Sequence, residues 1–146
     1  MSKRYEQPLE ETAKIFDEII FKSNLNNYMN IDIIVDNSLK DIVKYIKSSP
    51  LYKFKTDIDV TILLNEEIFD RLDDTDEQKN RLILTDSIIS AISYNSERDK
   101  ITIEKEDCNL RTGIVSKYGL ETTYNLDRLV TEVFKQVEEE KQENKD

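Results

Sequence analysis

Apolar side chains recur along the chain with two spacings, which predict a mixture of helices and strands. A spacing of three to four residues predicts helices over residues 8–22, 75–95 and 124–140, and a cap at Asp107 with Gly119 beyond the end predicts another over 107–118. Alternation at every second residue predicts strands over residues 31–35, 57–64 and 100–105. With no internal repeat, this order predicts a single α+β domain over residues 1–140, followed by a charged, flexible tail at 141–146.

The segment between the first two predicted strands is ambiguous. Within residues 39–47, Leu39, Ile42, Val43 and Ile46 have helical spacing, which favours a short helix. Pro50 then interrupts the chain, and residues 51–55 lead into the next strand. The sequence leaves the conformation of residues 39–55 open.

The helix expected at residues 75–95 is the element around which the others are arranged. Residues 75–78, Thr-Asp-Glu-Gln, have the form of a capping box, which satisfies backbone donors at a helix start. Its apolar residues form a broad surface: Leu82, Ile83, Ile88, Ile89 and Ile92. We therefore expect this helix to be central and largely buried.

Composition and charge exclude several classes of function. The net charge is −10 and no cluster of Lys and Arg stands out, so direct nucleic-acid binding is not expected. The chain has no His, which excludes imidazole bases and His-ligated metals, and its single cysteine, Cys108, excludes an internal disulfide. No apolar run is long enough to span a membrane, and the first ten residues lack the apolar region of a signal peptide. We expect a cytoplasmic protein.

Few residue combinations offer chemistry. Asp86, Glu106 and Asp107 are the carboxylates that the predicted topology brings closest, and three oxygens suit a hard cation such as Mg²⁺. The simpler interpretation makes Asp107 a helix cap and leaves Asp86 and Glu106 in solvent. Ser87 and Ser90 lie on the central helix without a plausible base. We expect no cofactor.

Four segments carry a resemblance that covers most of the chain. They are the opening MSKRYE with the first helix, DIDVTILLNEEIFDRL, TDEQKNRLILTD and EDCNLRTGIVSKYGL. They resemble a small zincin-like family of metallopeptidases encoded by bacteriophages. In that family a strand leads through an acidic turn to a helix bearing HExxH, and a later helix begins with His-Asp and closes on Tyr-Gly. The resemblance implies a small zincin-like fold, with an N-terminal helix, a short mixed or antiparallel sheet, a central former active-site helix and two C-terminal helices.

The positions that bind and activate zinc in the family differ in this chain. The two histidines of HExxH correspond to Asp86 and Ser90, and the general-base Glu corresponds to Ser87. The later His corresponds to Glu106. Ser hydroxyls are poor zinc ligands and cannot act as the general base, so the resemblance implies that peptidase chemistry is absent.

Other positions match the family, namely Asp107, Tyr118 and Gly119. A scaffold kept without its chemistry implies a catalytically inactive, metallopeptidase-like phage protein that binds another protein. A host protein inhibited or redirected during infection is the expected partner. The expected contact surface is the former catalytic cleft around the degenerate positions, or the acidic terminal helix.

The residues leave other functions open. One is a metal-dependent hydrolase with oxygen ligands from Asp86, Glu106 and Asp107. Another is an acidic inhibitor that mimics DNA, which requires carboxylates in paired rows at the spacing of phosphates. A structural role in the virion is a third.

Overall fold

The computed structural model describes residues 4–73, 78–104 and 117–143. In its first part, the elements are helix α1 (Glu10–Ser23), a 3₁₀ turn (Leu25–Asn27), strands β1 (Ile31–Val35) and β2 (Val43–Lys47), and helix α2 (Pro50–Thr56). Then follow β3 (Val60–Leu64), α3 (Glu66–Asp70), α4 (Lys79–Ser90), β4 (Ile92–Asn95), β5 (Lys100–Ile103) and α5 (Leu120–Glu143). The predicted α+β class is confirmed.

A mixed three-stranded sheet has β3 at its centre. β1 pairs with β3 in parallel and β2 pairs with it antiparallel, so Ile62 lies between Ile33 and Tyr45. All five residues of β3 are buried, as expected of a central strand with neighbours on both edges. The alternation that predicted strands at 31–35 and 57–64 placed β1 correctly and β3 with its correct end, but β3 begins at Val60, because Asp57 still caps the end of α2.

Helices complete the core beside this sheet. α1 packs against α4. It also contacts α3, because the ring centroids of Phe16 on α1 and Phe69 on α3 lie 5.8 Å apart. The Tyr45 hydroxyl donates a hydrogen bond of 2.8 Å to the Ile88 carbonyl, which ties β2 to α4. α5 turns one face to the same core, through Leu126, Val130, Val133 and Val137.

The prediction of one helix over residues 75–95 is wrong at its C-terminal end. α4 ends at Ser90, and residues 92–95 form β4, in which Ile92 lies opposite Ile103 of β5. Ile92 has helical spacing from Ile88, but Ile92 and Tyr94 also alternate with polar neighbours. Pairing with β5 decides between the two periods, because it satisfies the backbone of both strands.

The start of α4 differs in part from the expected capping box. Residues 74–77 lie outside the described residues, so the Thr75 cap is not seen. Asp73 caps this end instead, because its carboxylate accepts hydrogen bonds from the backbone amides of Asn80 and Arg81 at 2.8 and 3.1 Å.

The short helix favoured at residues 39–47 is also wrong. Val43–Lys47 is strand β2, with Val43 and Tyr45 packed against the core. Helical and strand periods overlap in so short a run, and pairing with β3 decides. Pro50, expected to interrupt the chain, occupies the first turn of α2.

The predicted helix over residues 107–118 lies largely outside the described residues. Its last two residues, Lys117 and Tyr118, are helical. Gly119 follows with a φ of 90°, a left-handed conformation that favours glycine after a helix. The last helix extends to Glu143, beyond its predicted end at 140. Among the helices described, none is both long and apolar enough to cross a bilayer.

Candidate functional site

Asp86 lies on α4 and is joined to the residues that precede α5. Its Oδ2 atom accepts a hydrogen bond of 2.7 Å from the Lys117 ammonium and another of 2.8 Å from the Tyr118 hydroxyl. The Asp86 side chain is only 19% exposed, whereas that of Lys117 is 61% exposed. The contact spans more than 30 positions of sequence, so it fixes the approach to α5 against the central helix.

The protonation states at this contact follow from the charges. The hydrogen bond to Asp86 raises the pKa of Lys117, so the ammonium is stabilised beside the carboxylate. Burial, and then the hydrogen bond to Asp86, raises the pKa of Tyr118. Lys117 is therefore charged and Tyr118 neutral at neutral pH, and neither side chain is a base there.

The two serines predicted to occupy former zinc-site positions, Ser87 and Ser90, have different environments. Ser87 is buried, at 4% exposure, whereas Ser90 is exposed. The Ser90 hydroxyl donates a hydrogen bond of 2.8 Å to the Ser87 carbonyl, within its own helix. A hydroxyl bonded back to the helix is not activated as a nucleophile, because a nucleophile needs a base at its proton.

Of the three residues in the predicted carboxylate site, the structure describes Asp86. Glu106 and Asp107 lie outside the described residues, as does Cys108. Within the described ranges, no group of three or more Asp, Glu, Cys or His side chains is arranged to hold a metal ion. At Asp86 the Lys117 ammonium lies 2.7 Å from Oδ2, and its charge would repel a cation bound to the same oxygen.

A second polar cluster surrounds Arg81, which sequence reasoning missed. The buried Arg81 side chain lies 3.0 Å from Asp73, 3.4 Å from Glu11 and 3.9 Å from Asp70. Burial, and then the charge of nearby Glu66, raises the pKa of Asp70. The cluster joins α1, the region after α3, and α4. The sequence did contain a signal for this cluster. Arg81 lies seven residues, or about two helical turns, before Ile88, which places a charged residue on the apolar stripe of α4.

The exposed surface of α2 was also missed. Ser49 caps this helix by accepting a hydrogen bond from the Tyr52 amide, and none of its residues is buried. Phe54 is 87% and Leu51 65% exposed. Five lysines and one aspartate lie between residues 40 and 56, a local positive charge that the total of −10 conceals.

Comparison of the chain with protein-family models, curated proteins and solved structures found no match.

Proposed function

We propose that this protein is a catalytically inactive, phage-encoded relative of the zincin-like metallopeptidases, and that it binds a host protein and inhibits or modulates it. The order of elements supports the proposal. Buried strand β3 leads through the acidic helix α3 to α4, which bears the degenerate positions.

The observation that carries the proposal is the contact between Asp86 and Tyr118. Asp86 corresponds to the first HExxH histidine, and Tyr118 to the Tyr of the family's Tyr-Gly pair. Their 2.8 Å hydrogen bond supports the alignment, because two segments matched separately in sequence meet in space. It also supports a structural role for Asp86.

The oxygen-ligand hydrolase is less well supported. Asp86 is the only one of its three proposed ligands among the described residues, and its Oδ2 atom is bonded to Lys117 and Tyr118. A DNA mimic is also less well supported, because the lysines near α2 interrupt the acidic surface. Protein binding needs neither a metal nor a uniform charge.

Affinity capture from infected and uninfected bacterial cells, followed by mass spectrometry, tests the proposal. The control bait is an unrelated acidic protein of similar size and charge, since a net charge of −10 attracts basic proteins non-specifically. We expect one host protein to be enriched on this protein alone and to stay bound in high salt. Failure to recover any specific partner contradicts the proposal.

A further inference from the structure

Helix α2 is attached to the rest of the molecule by polar contacts. The Lys53 ammonium lies 3.0 Å from Asp59 and 3.1 Å from Asp57. The Asn30 side-chain amide donates a hydrogen bond of 2.8 Å to the Asp57 carbonyl, just after the helix. These bonds fix α2 beside the starts of β1 and β3.

The apolar side chains of α2 are therefore turned outward. Phe54 is 87%, Leu51 65% and Tyr52 42% exposed. Ile46, on the preceding strand β2, is 43% exposed. A surface helix normally buries its apolar stripe against the core, so this arrangement is inverted. Large apolar side chains held outward on an anchored element are typical of a protein-binding surface.

Two exposed lysines accompany these apolar side chains: Lys44 shares the outer face of β2 with Ile46, and Lys55 lies on α2. Lys44 and Lys55 are exposed and have no carboxylate partner within the part of the chain that the structure describes. Lys47 lies on the opposite face of β2, with Val43 and Tyr45, where its ammonium donates a hydrogen bond of 2.8 Å to the Ile101 carbonyl. The exposed surface near α2 therefore combines large apolar side chains with these two lysines, beside the pairs that Lys53 forms with Asp57 and Asp59.

We propose that this α2 patch, formed by Ile46, Leu51, Tyr52 and Phe54 with Lys44 and Lys55, binds an acidic segment of another protein. The segment carries large apolar side chains between its carboxylates. They cover Leu51 and Phe54, while the carboxylates pair with the lysines. The inference rests on the proposed function and names the surface and the partner chemistry.

The charge of the whole chain favours a short acidic segment over an extended polyanion. At physiological salt, charges interact over about 8–10 Å. A short segment experiences mainly the α2 patch. A nucleic acid or an anionic bilayer would also approach the acidic remainder of the chain, which repels it.

A second copy of the chain is a less suitable occupant. The long helix α5 is acidic, but its apolar residues Leu126, Val130, Val133 and Val137 are buried within its own chain. Among the described residues of this helix, the one large apolar side chain that is exposed is Tyr124, and Arg128 lies over its ring, so the helix offers little apolar surface to cover Phe54.

The test uses the full chain and a displayed library of random peptides as the probe. Selected peptides are synthesised, and their affinities for the protein are measured by fluorescence anisotropy. We expect them to combine Asp or Glu with Leu, Phe or Trp. The paired change Leu51→Ser with Phe54→Ser weakens binding about tenfold or more, the equivalent of about 1.4 kcal/mol. Lys44→Glu and Lys55→Glu weaken it as well, and added salt reduces the affinity of the wild type.

Phe21→Ser is the matched control. Phe21 is 70% exposed on α1, and its change leaves the affinity within about twofold. Because α2 contributes no buried residue, the paired variant folds, which circular dichroism verifies.

Several results overturn the inference. They are a selection that enriches no peptide, peptides without acidic residues, or peptides that bind the paired variant as well as the wild type. The protein could instead bind phosphatidylserine vesicles or single-stranded oligothymidine more tightly than the peptides. If that binding depends on Phe54, the surface is assigned to that ligand and the inference is wrong. Phe54-dependent self-association in sedimentation assigns it to a second copy. If capture recovers a host protein that also binds the paired variant, the inference fails while the proposed function stands.

Discussion

Asp86 and Tyr118 are 32 positions apart in sequence and are joined by a hydrogen bond of 2.8 Å from the tyrosine hydroxyl to the carboxylate. Lys117, the neighbour of Tyr118, contacts the same oxygen. The polar side of the central helix is therefore committed to holding the approach to α5. This relationship gives Asp86 a part in joining two segments of the fold.

Asp86→Asn should lower the pKa of Tyr118. Burial raises this pKa first, and the hydrogen bond and negative charge of Asp86 raise it further. The variant removes the charge and keeps the burial, so the pKa falls only part of the way to its usual value. Ultraviolet titration of tyrosinate measures the change, with Tyr118→Phe identifying the contribution of this residue. An unchanged ionisation midpoint would contradict the contact.

Arg81→Met should destabilise the fold by about 3 kcal/mol, because it leaves the buried Asp73 carboxylate without its charge partner. Urea denaturation followed by circular dichroism measures the loss. Arg128→Met is the control, since the exposed pair of Arg128 with Glu132 contributes less than about 1 kcal/mol. Equal losses in the two variants would show that the Arg81 cluster does not stabilise the fold.

Asp70→Asn should increase stability at neutral pH. Burial and then the charges of Glu66 and Glu11 raise the folded-state pKa of Asp70, so its ionisation opposes folding. The wild type loses this unfavourable contribution as the pH falls through that pKa. The advantage of the variant should therefore disappear near pH about 4, the ordinary range of the Asp pKa. Urea midpoints measured across pH test this, and an advantage that grows in acid would contradict it.

Asp36→Asn should have the opposite pH dependence. Burial would raise the pKa of Asp36, but hydrogen bonds from Ser38 and the charge of Arg4 hold it below its usual value. Ionised Asp36 therefore contributes stability that is present at neutral pH and is lost as the pH falls through its folded-state pKa. The variant is less stable than the wild type at neutral pH, and the difference narrows in acid. If the difference in the free energy of unfolding between the variant and the wild type is the same at every pH, ionised Asp36 does not stabilise the fold.

Calorimetric titration with Zn²⁺, Mn²⁺ and Mg²⁺ should show no Asp86-dependent metal binding at sub-millimolar concentrations. The reason is the Lys117 ammonium, which already neutralises this carboxylate at 2.7 Å. Asp86→Ala is the comparison. Binding by the wild type that this variant abolishes would favour the oxygen-ligand hydrolase.

The sequence predicted best those elements whose own pattern is unambiguous. β1 and β3 alternate clearly, and α1 and α5 have long apolar stripes, so local periodicity was enough. β2 and β4 were missed because each also fits a helical spacing. Their pairing with β3 and β5 is a tertiary interaction that no local window contains.

The candidate site was predictable as a set of residues but not as contacts. Asp86, Ser87 and Ser90 could be named from their alignment with HExxH. The pairing of Asp86 with Lys117 and Tyr118 depends on how the approach to α5 returns to α4. The α2 patch was missed because total charge conceals a local excess of lysine, and because exposure is a property of the folded chain.

The most direct test of the account is to mix the purified protein with the host protein that it captures, with and without a metal chelator. Calorimetry gives the affinity and stoichiometry, and intact-mass spectrometry shows whether the partner is cleaved. We expect a stable complex of fixed stoichiometry, with equal affinity in the chelator and with the partner at its full mass. Cleavage of the partner that stops when the chelator is added would contradict it.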